Sequence, residues 1–437
     1  MDERKSGLVS IVVPVYNAGQ FLAETISCVQ AQTYRAWELL LVDDGSSDDS
    51  REIIRQRSAK DERVRLIIQE ENSGAAGARN RGIQEARGQY LCFLDADDFF
   101  DKNMLKLSFQ KAMEENADIC IYKAFFYDNE TGEISACNFA VKENELPQNH
   151  FFSRSQITGN IFKAVMGWAW DKLYRRNFVL NHGLRFQEQR TTNDMYFVYA
   201  SLLKAGRITI LDKRLYYQRR NVKTSLSNTR EMSWQCFYYA LRKVRDELVE
   251  MGIYEEYKQD FINYALHSCI WNFNSLKEPY AEQLFHKLRD GWFADLEINN
   301  FDEEYFSNKE EYGEYVEMSR IPLGIPNAYC SYRINYWKNK YESKEARMDM
   351  QVVISEKEIL TIGQMKEKLL WNRMKRMEVE KRMRNGGDAE YSLNEIRNSF
   401  SYKLAMMLTW FPRKLRQIGN YEKDKKVELE IMKEEMF

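Results

Sequence analysis

The chain has 437 residues, 44% apolar and 14% aromatic, enough to bury a large core and to form two or three domains. Its 64 basic and 66 acidic residues leave a net charge of −2, so no overall field points to nucleic acid as a partner. Seven scattered cysteines with no C-x-x-C pair argue against a disulfide framework or a zinc site and fit a reducing cytoplasm, and no run of about eighteen apolar residues is present to span a membrane. The charged start "MDERKSG" leads into a short apolar run that ends at Pro14, unlike a signal peptide.

The β-branched run "LVSIVVPVY" (8–16) reads as a strand buried on both faces of a parallel sheet. "FLAETISCVQ" follows, with Phe21, Leu22, Thr25, Ile26 and Val29 on one helical stripe. "WELLLVDD" (37–44) predicts a second strand, and "SSDDSREII" a helix capped by Ser47 with Asp48 and Asp49 in its first turn. "VRLIIQE", "AAGARNRGIQEA", "YLCFLDADD", "NMLKLSFQKAMEE" and "DICIYKAFFY" continue the alternation as far as 127. This pattern predicts an α/β fold, a mostly parallel sheet flanked by helices.

Residues 128–160 read as a hairpin or loop over the sheet. Beyond them a turn, a helix with Met195, Val198, Tyr199, Leu202 and Leu203 on one stripe, and a strand complete a first domain over 1–229. The span 230–340 predicts a helical accessory domain rich in aromatics. The remainder, 341–437, predicts an extended helical region, with long exposed helices over 345–385 and a basic stretch at 366–384. Segment 399–418, "SFSYKLAMMLTWFPRKLRQI", joins an aromatic block to four basic residues and no acid. Such a segment either lies in a membrane interface or docks on its own protein.

Ligands of open parallel sheets bind beyond the C-terminal ends of the strands. Three polar groups fall there: "PVYN" (14–17), "DDGSSDD" (43–49) and "DADD" (95–98). Asp95 and Asp97 are one residue apart, so on an extended chain both carboxylates point to one side. Two unpaired carboxylates that close repel, and a divalent cation relieves the repulsion. Mg²⁺ or Mn²⁺ would complete its shell with water and phosphate, which implies a phosphorylated ligand. "NSGAAGARNRG" (72–82) supplies either tight helix packing or an anion site, and its Arg79 pairs either with an aspartate of the site or with phosphate. Asp194 in "TTNDMYF" is either a helix cap or a base within reach of the site.

Together "VSIVVPVYNAGQFLAETISCVQAQTYRAWELLLVDDGSSDDS", "NSGAAGARNRGIQEARGQYLCFLDADD" and "MGWAWDKLYRR…GLRFQEQRTTNDMYFVYASLLKAGRI" resemble the GT-A domain of glycosyltransferase family 2 over about 7–228. The resemblance implies that Pro14, Val15 and Tyr16 line the nucleotide pocket, joined by Asp44, Arg79 and Ala96, and that Asp43 reads a base, usually uracil. It implies that Asp95 meets the ribose and Asp97 a Mn²⁺–diphosphate or Mg²⁺–diphosphate. The family's Glu-Asp pair is Asn193-Asp194 here, which keeps the base-bearing Asp194 and removes a neighbouring charge. Arg219 or Arg220, in the closing stretch 216–227, would meet diphosphate, and Trp168, Trp170 and Asp171 would shape the acceptor pocket. The implied reaction is inverting transfer from a nucleotide-sugar, usually a UDP-sugar, to a glycan or lipid-linked acceptor. Its expected setting is surface-polysaccharide or glycoconjugate assembly in the cytoplasm or at the inner membrane face. A receiver-like domain, a nucleotidyltransferase and a catalytically degenerate scaffold are the rival readings. The first two lack their marker residues, and the third draws on Asn193.

Overall fold

The computed structural model describes residues 7–333 except 148, 158, 223–230 and 324–327, together with 351–355 and 358–361. Residues 1–332 form one compact unit and 333–437 a second.

In the first unit the strands β1 (Val9–Val15), β2 (Trp37–Asp43), β3 (Val64–Ile68) and β4 (Tyr90–Phe93) alternate with helices α1 (Gly19–Gln30), α2 (Ser50–Ser58) and α3 (Gly74–Glu85). They pair in the parallel order β3-β2-β1-β4. Every residue of β1 except Pro14 is buried, as expected of a strand covered on both faces. Helix α3 lies so close to β1 that a Cβ on Gly82 would stand 2.2 Å from Val12 Cγ1. Gly82 of "NSGAAGARNRG" therefore serves close packing on the sheet, whereas Gly74 serves the left-handed backbone (φ 73°) that opens the helix.

The chain continues through β5 (Phe99–Phe100), α4 (Met104–Glu114), β6 (Ile119–Asp128), β7 (Ile134–Ala136), α5 (Ile161–Ala164), β8 (Lys172–Arg175), α6 (Arg176–Asn181), α7 (Met195–Lys204) and β9 (Ile208–Arg220). Here the sheet becomes mixed. β8 inserts antiparallel between β4 and β6, so that Leu173 pairs with both Cys92 and Cys120, while β9 runs parallel to β6 and carries β5 antiparallel at the edge. β7 forms a hairpin with β6. The parallel expectation holds for the four N-terminal strands, and the sheet as a whole is α/β with mixed pairing.

Helices α8 (Cys236–Glu250), α9 (Tyr254–Ser275), α10 (Tyr280–Lys287), α11 (Phe293–Asp295) and α12 (Lys309–Arg320) make the C-terminal part of the unit helical. They pack on the α/β part: the Phe162 ring meets those of Phe261 and Tyr264, and Tyr199 Oη lies 3.2 Å from Tyr264 Oη. None of the seven cysteines forms a disulfide bond. Among the described residues no helix is long and apolar enough to cross a membrane.

In the second unit β10 (Gln351–Ser355) and β11 (Glu358–Thr361) pair antiparallel, inside the stretch expected to form exposed helices. The β-branched run Val352, Val353 and Ile354 favours extended backbone and outweighs the charged composition around it. The basic stretch 366–384 and segment 399–418 lie outside the described residues.

Candidate active site at the carboxyl edge of the sheet

Strand β4 stops at Phe93 and "DADD" forms a turn before β5, with Asp98 N–H directed at Asp95 O at 3.5 Å. Asp95 and Asp97 thus project from a turn, and the alternation of an extended chain does not apply to them. Asp98 is buried and accepts hydrogen bonds from Tyr216 Oη at 2.6 Å and Arg219 N–H at 2.7 Å, which pin the turn to β9. Burial, with Asp97 and Asp95 adding to it, raises the Asp98 pKa well above the usual carboxylate range. The Thr25 hydroxyl ties the turn to α1 by donating to the carbonyls of Ala96 and Asp98, both at 2.9 Å.

Asp97 is half-buried and carries no ion pair among the described residues. Its carboxyl is raised to about 6, first by burial and then by the charge of Asp95, with Arg219 opposing. Among the described residues no cluster of three or more His, Cys, Asp or Glu side chains is placed to cage a cation. The pair Asp95–Asp97 is instead an incomplete oxygen donor set of the kind that Mg²⁺ or Mn²⁺ shares with phosphate and water. An ionised Asp97 that is disfavoured and unpaired fits a cation at that point.

Arg79 of α3 takes the first of its two expected partnerships. Its guanidinium donates to Asp95 Oδ1 at 2.6 Å and, from another nitrogen, to Asn193 Oδ1 at 3.0 Å. The side chain is 9% exposed and faces the Phe186 ring. One buried cation thereby joins the Asp95 turn to the turn that presents Asp194.

Asp194 stands at the N-cap of α7 yet makes no side-chain capping bond. The structural explanation for an acid at this position is therefore not used. Burial raises the Asp194 pKa, Arg79 and Lys172 hold it down, and Asp95 pushes it up. A carboxylate at a helix end, without an ion pair among the described residues and with its pKa raised by burial, is suited to proton abstraction.

At the other end of the edge, Asp43 is fully buried. Arg51 Nε reaches its Oδ2 at 2.5 Å, and the Gly45 and Ser46 amides approach the same oxygen. Its Oδ1 is buried without a hydrogen-bond partner among the described residues. Tyr16 is 57% exposed beside it, and Pro14 is half-buried. Val15 turns its side chain into the core and meets Asp44 N–H through its carbonyl at 2.8 Å, so only its backbone borders the edge. Asn17, in the left-handed region at φ 49°, stitches the first two loops together by accepting from Ser47 N–H at 2.8 Å. Ser47 is accordingly no cap. Helix α2 begins at Ser50, whose N–H is met by Asp48 Oδ1 at 3.1 Å.

Two residues assigned to the nucleotide are committed elsewhere. Asp44 accepts from Gln69 Nε2 at 2.6 Å, Ser73 N–H at 2.8 Å and Gly74 N–H at 2.7 Å, so its carboxylate fills the N-terminal end of α3 that an anion would otherwise occupy. Arg219 donates to Glu24 at 2.8 Å, Asn129 at 3.0 Å and the Asp97 carbonyl at 2.8 Å, with its side chain 6% exposed. It clamps the turn, with each of its three guanidinium nitrogens already donating. Arg220 is exposed and stacks on Phe126 with Cζ 3.3 Å from the ring centroid. Of the expected closing stretch, 223–227 lies outside the described residues.

Trp170 is buried, stacked between Trp168 at 4.8 Å and Tyr216 at 4.3 Å, and so acts as a spacer without an open face for an acceptor. Beneath it Lys172, fully buried, donates to Asp171 at 2.6 Å and to the carbonyls of Trp168 and Met166 at 2.7 and 2.9 Å. Burial raises Asp171 to about 6 against the pull of Lys172. Sequence reasoning missed Tyr216, Asn17 and Lys172. The only available signal for Lys172 was a charged pair entering a strand, which reads as surface by default.

A model of glycosyl transferase family 2 matches residues 10–183. Glycosyltransferase GlyG of Streptococcus pneumoniae is 32% identical over 240 residues, 52% of this chain and 76% of GlyG. The putative glycosyltransferase EpsH of Bacillus subtilis is 29% identical over 287 residues, 64% of this chain and 81% of EpsH. The crystal structure of S. aureus TarS 1–349 in complex with UDP-GlcNAc superposes with a TM-score of 0.52 at 18% identity, covering 81% of this chain and 96% of that one, which shows a shared fold. With the Asp95 turn, Arg79 and Asp194 gathered at the carboxyl edge of a GT-A sheet, this chain belongs to glycosyltransferase family 2 and is a glycosyltransferase.

Proposed function

We propose that the chain transfers a glycosyl group, with inversion, from a UDP-sugar to an acceptor hydroxyl. The observation that carries this reading is Asp194, placed at a helix cap but not used as one, and joined through Asn193 and Arg79 to the Asp95 turn. In this reading Asp43 and the exposed Tyr16 ring would receive the base, with Asp95 towards the ribose, as the family resemblance implies. Asp194 takes the acceptor proton as the acceptor oxygen bonds to the anomeric carbon and the bond from that carbon to the diphosphate breaks. A Mg²⁺ or Mn²⁺ ion held by Asp97 and Asp95 would supply charge neutralisation for the departing diphosphate. Asn193 keeps the hydrogen bond to Arg79 that orients this corner, which supports catalysis over the degenerate scaffold.

The acceptor would be a glycan or lipid-linked glycan in surface-polysaccharide or glycoconjugate assembly, with peripheral contact at the inner membrane face through 399–418. The family and the basic aromatic composition of that segment support this setting.

The test is UDP release from a panel of UDP-sugars with Mn²⁺ and candidate acceptors. Asp97→Ala and Asp194→Asn are each expected to lower turnover by about 10²-fold or more. Full turnover in both variants would refute the mechanism, and nucleotide binding without turnover on any acceptor would favour the scaffold.

A further inference from the structure

Adjacent arginines on a strand face opposite sides, and β9 gives its last two different surroundings. Arg219 pairs with Tyr127 in the ladder and turns to the α1 side, where Glu24, Asn129 and the Phe21 ring saturate it. Arg220 turns to the other side, over Phe126, and its side chain makes no hydrogen bond or ion pair among the described residues. Its guanidinium is thus held flat by a ring while its N–H edge stays open.

Phe126 belongs to a triangle of rings. Its centroid lies 5.8 Å from Phe139 and 6.4 Å from Trp168, and those two are 5.8 Å apart. Phe139 is 48% exposed, an unusual position for a phenylalanine on so rigid a loop. The loop is pinned on both sides of it, Cys137 N–H to Ala124 O at 3.1 Å and Met166 N–H to Ala140 O at 2.9 Å, while Lys172 fixes the Trp168 carbonyl. Trp168 then stacks through Trp170 onto Tyr216, whose hydroxyl holds Asp98 of the catalytic turn. A chain of stacked rings, buried at Tyr216 and Trp170, therefore joins the catalytic turn to Trp168 and the half-exposed Phe139, beside a guanidinium with no polar partner among the described residues.

We propose that Phe139, Trp168 and Arg220 form an acceptor subsite for a pyranose that carries an oxyanion, either a carboxylate or a phosphate. This rests on the proposed transferase reading and adds to it the chemical class of the acceptor. The rings offer flat apolar faces to the C–H side of a sugar, and the planar fork of an arginine matches a carboxylate or phosphate with two parallel bonds. The stacked guanidinium is pre-organised, so little conformational freedom is lost on capture.

The full chain is tested in two ways. In transfer assays with matched acceptors, methyl glucuronide-terminated, sugar-phosphate-terminated and neutral, Arg220→Ala should cut the ratio of kcat/KM for anionic over neutral acceptor by about tenfold, with Arg220→Lys recovering part of it. Phe139→Ala should instead raise KM for anionic and neutral acceptors alike. Independently of turnover, tryptophan fluorescence titration should show methyl glucuronide or glucose 1-phosphate binding about tenfold more tightly than methyl glucoside, the difference vanishing in Arg220→Ala. Whichever of the two anions binds more tightly identifies the source of the oxyanion. If wild type prefers no anionic ligand, or Arg220→Ala leaves the preference intact, the proposal is overturned. If no acceptor supports UDP release, the transferase reading falls, while the titration still decides the subsite.

Discussion

Arg79 concentrates the electrostatics of the site in one buried side chain. Because Asn193 is neutral, the Arg79 charge is shared between Asp95, which it touches, and Asp194, whose pKa it lowers. A glutamate at 193 would draw on the same cation and raise the cost of ionising Asp194. Asp97 lacks such a partner, and this gives it a measurable signature. Its pKa of about 6 in the folded chain stands above the ordinary aspartate value of 3.8. Between those values the folded chain binds more protons than the unfolded one, so the metal-free protein gains stability as pH falls through 6 and loses it as pH rises. Asp97→Asn removes that penalty. It should raise the Tm of the metal-free protein by about 2 °C at a pH of about 7.5, and the gap should narrow towards a pH of about 4.5. Differential scanning fluorimetry with chelator present reads this directly, and a gap of constant size across that range would contradict it.

At the scale of elements, the alternation of β9 decides which arginine is structural. Removing Arg219 breaks bonds to Glu24, Asn129 and the Asp97 carbonyl and uncovers the rings of Phe21 and Tyr127. Arg219→Ala should cost about 2–4 kcal/mol in urea denaturation, whereas Arg220→Ala, exposed and unpaired, should cost about 0.5 kcal/mol or less. Equal losses would mean that the two faces are not distinct. This contrast also marks the limit of sequence reading. Strand ends were legible because runs such as "WELLLV" and "YLCF" stop abruptly in polar residues, which put Asp43 and Asp97 at the carboxyl edge, whereas Asp194 was named from the family resemblance. Asp44 and Arg219 were misassigned because both are charged residues at the same edge. Only the approach of α3 to the β2 end, and of α1 to β9, shows that their charges are already satisfied. The mixed pairing was hidden because β8 arrives from about eighty residues beyond β4, and no local pattern announces where a strand will insert.

For the whole molecule, the boundary expected at 229 falls inside a compact unit that continues to Tyr332. Helices α8 and α9 complete the α/β part. Phe162 and Tyr199, both buried, meet Phe261 and Tyr264 of α9, Asn160 Nδ2 donates to Asp260 O at 2.7 Å, and Glu247 of α8, 5% exposed, takes Lys204 at 2.6 Å and the Tyr196 hydroxyl at 2.7 Å. Cutting at 229 would bare those rings and leave Lys204 and Tyr196 without their carboxylate, an exposed apolar patch of the kind that drives association. A fragment 1–229 should therefore aggregate, while 1–332 should be monodisperse by size exclusion and melt in one cooperative transition. Since every proposed site residue lies within 1–332, that fragment should also release UDP from the donor used by the full chain. The same pair tests the membrane contact assigned to 399–418. The full chain should float with anionic vesicles and 1–332 should stay behind, with the difference shrinking as salt rises, because attraction of Lys and Arg to lipid phosphate is screened over about 10 Å at 0.1 M ionic strength. A fragment 1–332 that floats as well as the full chain would place the membrane contact on the α/β and helical unit and remove it from 399–418.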